Sequence, residues 1–142
     1  MQSDLLHQLD PEIYDFAAIQ ELYLDRNHNS QANHHWFMVY PKEHYTNPSR
    51  TRSIMLVNRR LASDTWSQVD ICSSDMTAIA VNTGIGRVLI INTYNDIKLQ
   101  NGLTSSIEVL CENQQAGESE DRAEQTIWVG DFNLHHPLWD EG

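Results

Sequence analysis

The stretch Thr126-Ile127-Trp128-Val129-Gly130-Asp131-Phe132-Asn133-Leu134-His135-His136-Pro137-Leu138-Trp139 decides how this chain is read. Thr126 to Val129 are β-branched or aromatic and predict a strand. Gly130 lets the backbone turn tightly where that strand ends. Asp131 and Asn133, two positions apart on an extended backbone, are expected to project to one side. A carboxylate beside a carboxamide can orient one water, the first taking its proton and the second fixing it by hydrogen bond. On spacing alone, an Asx-type turn after a buried strand is the commoner use of these residue types.

Two earlier stretches end in the same way. Tyr14-Asp15-Phe16-Ala17-Ala18-Ile19-Gln20-Glu21 reads as a buried strand that finishes on two polar residues. Glu21 then stands at a sheet edge, where Mg²⁺ takes one or two carboxylates along with water and phosphate oxygens. Taken alone, Glu21 is a solvated strand end. Ile90-Ile91-Asn92-Thr93-Tyr94-Asn95-Asp96 also turns polar at its end. Tyr94 offers a hydrogen bond to a phosphate oxygen, or equally caps the core.

Composition bounds these readings. The chain has 142 residues, about the size of one domain. Hydrophobic residues make up 40%, enough for a core and too much for a disordered tail. Nine Lys and Arg against 20 Asp and Glu give a net charge of −11. That excludes a basic module held to nucleic acid by its overall field, and leaves a local site where a bound cation supplies positive charge. Two cysteines, Cys72 and Cys111, exclude a disulfide-rich scaffold and a Cys-based zinc site; both read as small buried hydrophobes. The N-terminus lacks the basic and apolar regions of a signal peptide, so secretion is not expected. No apolar run approaches the roughly 20 residues of a membrane span.

The rest of the chain predicts an α/β domain. Ser3 to Leu9 reads as a short helix, ended by Asp10-Pro11. Residues 25–34 read as a polar loop, and Trp36 to Tyr40 as a strand stopped by Pro41. Ser53–Val57, Trp66–Ile71, Met76–Asn82 and Arg87–Tyr94 are strands whose turn-rich spacers predict consecutive antiparallel pairing, with the best hairpin at Asn82 to Gly86. Leu99 to Cys111 carries an apolar stripe at helical spacing, and Glu112 to Glu124 is acidic and aperiodic. Trp36, Trp66 and Trp128 are expected in the core. His34-His35 is expected to face solvent. His135 and His136 read as packing or local hydrogen-bonding residues, because neighbours on an extended chain point opposite ways. Arg50, Arg52, Arg59 and Arg60 form the one basic concentration, either solvated strand ends or a surface for a DNA backbone.

Taken together and in order, a strand ending in Gln-Glu, one ending in Asn-Xaa-Tyr and one ending in Gly-Asp-Phe-Asn resemble the endonuclease/exonuclease/phosphatase superfamily. The block from Gly130 to Trp139 resembles, more narrowly, the endonuclease domain of non-LTR retrotransposon polyproteins. Ile54 to Leu61 and Val88 to Asp96 are similar to that subgroup as well, and the likeness covers about residues 5 to 140. It implies an incomplete two-sheet α/β sandwich over 1–142, mostly antiparallel, with flanking helices. It implies Mg²⁺ or Mn²⁺ as cofactor, with Glu21 as metal ligand. Tyr94 then contacts the scissile phosphate, Asp131 activates the attacking water, and Asn133 positions that water and the phosphate. DNA is the implied substrate and the nucleus the implied location; no membrane and no protein partner is implied.

The physics agrees with such a site. A phosphodiester is anionic, and a chain poor in Lys and Arg needs a bound metal to neutralise the developing charge. The family also has a first strand bearing a metal-holding asparagine, and a terminal Asp-His pair. No residue here matches either, so the expectation is a domain fragment. It is expected to be a DNA-nicking endonuclease or, alternatively, a catalytically inactive remnant. A phosphatase or lipid phosphodiesterase of the same superfamily fits the His135-His136-Pro137-Leu138-Trp139 continuation poorly.

Overall fold

The computed structural model of the chain describes residues 2–95 and 124–133. A short helix, α1 (Gln2–Gln8), comes first. Seven strands follow among the described residues: β1 (Phe16–Gln20), β2 (Trp36–Val39), β3 (Ser53–Asn58), β4 (Trp66–Val69), β5 (Met76–Thr83), β6 (Gly86–Tyr94) and β7 (Glu124–Asp131). Two short 3₁₀ turns, Lys42–Tyr45 and Pro48–Arg50, join β2 to β3. The strands form two sheets, in the orders β1-β3-β2 and β4-β5-β6-β7. The described residues are therefore strand-rich, with few helices among them, in a mixed α/β class.

Side-chain alternation assigns each face of the first sheet. Ile19, Trp36, Ile54 and Leu56 lie on one face and pack with Leu6 of α1. Val39, Met55 and Val57 lie on the other and pack with Ile79 of β5. The two sheets thus meet through β3 and β5, and every residue of β3 is buried. The far face of the second sheet gathers Met76, Ala78, Ala80, Leu89 and Ile91, with Trp128 against them.

Three expectations change. Consecutive antiparallel pairing holds for β4-β5-β6, but β3 pairs with β1 and β2 and never with β4, its successor. Residues 59–65 carry the chain from one sheet to the other, and alternation within a strand does not say which sheet it joins. The strand from Tyr14 to Glu21 is shorter, Phe16–Gln20, because Glu21 adopts a left-handed φ of 48° that ends the pleat. Cys72 is exposed rather than buried, since β4 stops at Val69. The readings for 99–111, 112–123 and 135–139, Cys111 among them, fall outside the described residues. His34 and His35 are exposed, Trp36 is 1% exposed, and Trp66 and Trp128 are partly buried.

Candidate functional site

The strand directions bring chemistry to one rim. β1, β6 and β7 reach this rim with their C-terminal ends, and β3 and β5 with their N-terminal ends. The registers show it: Gln20 pairs with Ser53, Met76 with Thr93, and Tyr94 with Asp131. β6 and β7 run parallel, which lets both deliver polar residues to the same end. β1 packs against both of them.

Glu21 and Tyr94 meet directly. The Tyr94 phenol donates to Glu21 Oε1 at 2.6 Å. The Glu21 amide in turn donates to the Arg52 carbonyl at 2.9 Å, which fixes the carboxylate's backbone where β1 ends. Accepting its proton in that bond, Glu21 pushes the Tyr94 phenol above the ordinary tyrosine range. Burial and the carboxylate's charge act the same way, and the Arg52 guanidinium opposes them. The guanidinium carbon of Arg52 lies 5.5 Å from the centre of the Tyr94 ring.

Asp131 is exposed and sits beside Tyr94 on the neighbouring strand. Asn133 lies two residues on, but not along an extended backbone. Its φ is 43°, and its amide donates to Asp131 Oδ1 at 3.0 Å, an Asx turn. This corrects the expectation that alternation aims the two side chains. The strand ends at Asp131, and the turn holds the carboxylate instead. Asn133 Nδ2 donates to the Asn95 carbonyl at 2.7 Å. Asn95 returns the contact, its amide donating to the Asp131 carbonyl at 2.8 Å and its Nδ2 to the Phe132 carbonyl at 2.6 Å. The ends of β6 and β7 are thereby locked together just past Tyr94 and Asp131.

Beneath the rim lies a buried polar clamp. Asn92, fully buried on β6, donates through Nδ2 to the carbonyls of Ile19 at 3.1 Å and Ile54 at 2.8 Å. Its Oδ1 accepts from Gln20 Nε2, the residue before Glu21. Ser53 Oγ donates to the Asn92 carbonyl at 3.0 Å, and Thr77 Oγ1 to the Ser53 carbonyl at 2.8 Å. One carboxamide thus ties β1, β3 and β6 across the two sheets. Asn92, Asn95 and Gln20 are rim residues that carry no role in the sequence reading, and Arg52 entered it only as one of four grouped arginines. Paired polar residues just before and just after each strand end were the available signal.

The basic group divides. Arg52 sits at this rim, whereas Arg59 and Arg60 follow the other end of β3. There Arg59 lies over the Phe37 ring at 3.9 Å, and Arg60 Nη2 pairs with Asp15 at 2.9 Å. Four arginines close in sequence therefore do not make one surface, because a six-residue strand separates them by about 20 Å.

Glu21 and Asp131 bring only hard oxygen donors. Among the described residues no group of three or more His, Cys, Asp or Glu side chains could hold a metal ion. A cation at this rim would rest on one or two carboxylates and complete its shell with water and phosphate oxygens, a donor set that fits Mg²⁺ or Mn²⁺. Among the described residues, no helix is long and apolar enough to cross a membrane. The sequence matches no protein-family model and no curated protein.

Proposed function

We propose that this chain is a metal-dependent endonuclease domain of the endonuclease/exonuclease/phosphatase type, derived from a non-LTR retrotransposon polyprotein, that nicks chromosomal DNA in the nucleus. The observation that carries this reading is the bond from Tyr94 to Glu21 across the two sheets, with Asp131 beside Tyr94 in register. A phosphodiester bound there would meet a phenol donor, a carboxylate and a carboxamide from three separate strand ends. The two-sheet architecture supports the incomplete sandwich that the resemblance implies.

In this reading Glu21, with Asp131 near it, holds Mg²⁺ or Mn²⁺. When bound, the ion neutralises charge on the phosphate oxygens as a Lewis acid. Tyr94 has one O–H: without substrate it braces the Glu21 carboxylate, and it would turn to a phosphate oxygen once the metal holds Glu21. Asp131, oriented by the Asn133 amide, accepts the proton of the attacking water. Asn133 anchors its Nδ2 on Asn95 and directs its Oδ1 at that water.

Supercoiled plasmid incubated with the chain and Mg²⁺ tests the proposal. The expected result is conversion to relaxed circles, abolished by Asp131→Ala and by a chelator. Equal relaxation by the variant, or none by the unmodified chain, overturns it. The second outcome favours a remnant without enzymatic role.

A further inference from the structure

Asn95 is the first residue past β6 and is 3% exposed, and it reaches across to the end of β7. Its amide donates to the Asp131 carbonyl at 2.8 Å, its Nδ2 to the Phe132 carbonyl at 2.6 Å, and its carbonyl accepts from Asn133 Nδ2 at 2.7 Å. One buried residue thus holds three successive residues of the neighbouring strand end.

That turn needs an outside hold. The Asn133 amide donates to Asp131 Oδ1 at 3.0 Å, but this carboxylate is exposed, and water competes for it. The Asn133 backbone has a φ of 43°, a left-handed conformation that persists where the surroundings fix it. The strands already approach closely just before this point. Gly130 lies opposite Thr93, where a Cβ would meet the Thr93 carbonyl oxygen at 1.9 Å. Tyr94 directly precedes Asn95 and lies opposite Asp131. The grip of Asn95 therefore sets the place of the turn relative to the phenol.

We propose that Asn95 is a positioning residue whose carboxamide fixes the Asp131–Asn133 turn relative to Tyr94, so that the attacking water is aimed at a phosphate held by the phenol. The inference rests on the nuclease reading above and adds a side chain that this reading does not use. Asn95 itself touches neither substrate nor metal.

The test compares two buried asparagines. Asn58, 2% exposed at the opposite end of β3, also donates through Nδ2 to two carbonyls, those of Pro11 at 2.6 Å and Tyr14 at 2.9 Å. Plasmid nicking in Mg²⁺ is measured for the full chain, Asn95→Ala and Asn58→Ala, at a temperature where circular dichroism shows each folded. Asn95→Ala is expected to lower kcat by about 10- to 100-fold, the effect of a misplaced reacting group, with KM within about threefold of the parent. Asn58→Ala should melt earlier and keep the parent's kcat. In an Asn133→Ala background, Asn95→Ala should lower kcat little further, because the two act as one unit. Asn95→Ser, a smaller change, repeats the measurement should the alanine variant not fold. If the parent nicks DNA and both Asn95 variants keep its kcat, the Asn95 assignment fails while the nuclease reading stands. An equal loss in Asn58→Ala, or losses at Asn95 and Asn133 that multiply, would also overturn the assignment. If the parent does not nick DNA, both fail together.

Discussion

Tyr94 Oη lies 2.6 Å from Glu21 Oε1, although 73 positions separate the two residues in the chain. Each comes from a different sheet, so the bond exists only when both sheets are in register at this rim. Tyr94→Phe removes a donor to the phosphate and leaves Glu21 without its brace. Plasmid nicking should fall by about 10- to 100-fold, with a higher Mg²⁺ concentration needed for half-maximal rate. A variant that keeps the parent's rate and Mg²⁺ dependence would remove Tyr94 from the site.

The same bond sets an alkaline limit. The phenol donates only while protonated, and Glu21 holds it above the ordinary tyrosine value of about 10. In the metal-free chain the phenol should therefore ionise only beyond that value. Glu21→Gln removes the carboxylate charge and should bring that ionisation down. Ultraviolet titration of the tyrosinate band in the two metal-free proteins, each compared with its Tyr94→Phe counterpart, checks the direction of the shift.

Asn92 offers a test of the clamp beneath. Truncation to Ala leaves the carbonyls of Ile19 and Ile54 and the amide of Gln20 without their buried partner. Each unmet buried group costs about 1–3 kcal/mol, partly recovered by relaxation, so a loss of about 2–4 kcal/mol is expected in urea unfolding. Asn92→Asp should be no better, because a carboxylate oxygen would face two carbonyl oxygens. A loss below about 1 kcal/mol for either would show that water replaces the carboxamide.

Much of this rim was legible in the sequence, and the reason is specific. β1, β6 and β7 each hold an apolar run that turns polar towards the strand end, so Glu21, Tyr94 and Asp131 stand out there. Two sheets were expected only through the family resemblance, and the strand pattern did not show which strand joins which sheet. β3 and β4 are both apolar-rich segments with a turn between them, and nothing in either states that β3 will sit between β1 and β2. The parallel pairing of β6 with β7 joins residues far apart in sequence, beyond the reach of local pattern. Asn92 was hidden because an asparagine near a strand end reads as the start of a turn, whereas here it is a fully buried crosslink. The arginines misled for the opposite reason: closeness along the chain is not closeness in space once a strand runs between them.

Gly130 carries the close approach of β7 to β6. Its φ is 134°, and a Cβ there would lie 1.9 Å from the Thr93 carbonyl oxygen. Backbone cannot yield as a side chain does, so Gly130→Ala should destabilise the chain by about 2–4 kcal/mol. It should also disturb Asp131, one residue on. Gly84 is the matched control. A Cβ there meets nothing within 4 Å, and Gly84→Ala should change stability by less than about 1 kcal/mol. Urea titration of the pair measures the contrast, and similar values for both would mean that β7 moves freely away from β6.

His44 gives the fold an acid-sensitive point away from the rim. It is 7% exposed, with Nδ1 2.8 Å from Thr51 Oγ1 and its ring stacked on Tyr40 at 4.0 Å. Burial, and then the charge of His28, hold its imidazole below the ordinary histidine value. In the unfolded chain the same ring takes up its proton near pH 6.5. Between that pH and the lower folded value, the unfolded state binds more protons, so stability falls as the pH drops through this window. Above about pH 6.5 both states are neutral at this site, and it contributes no slope. The melting temperature should therefore decline as the pH is lowered from about 6.5 towards 5, and His44→Gln should flatten that part of the curve while leaving the neutral range parallel to the parent. Carboxylates also titrate towards the acid end, so the difference between the two curves is the quantity to read. A constant difference from pH 5 to pH 7 would show that His44 keeps its ordinary protonation in the folded chain.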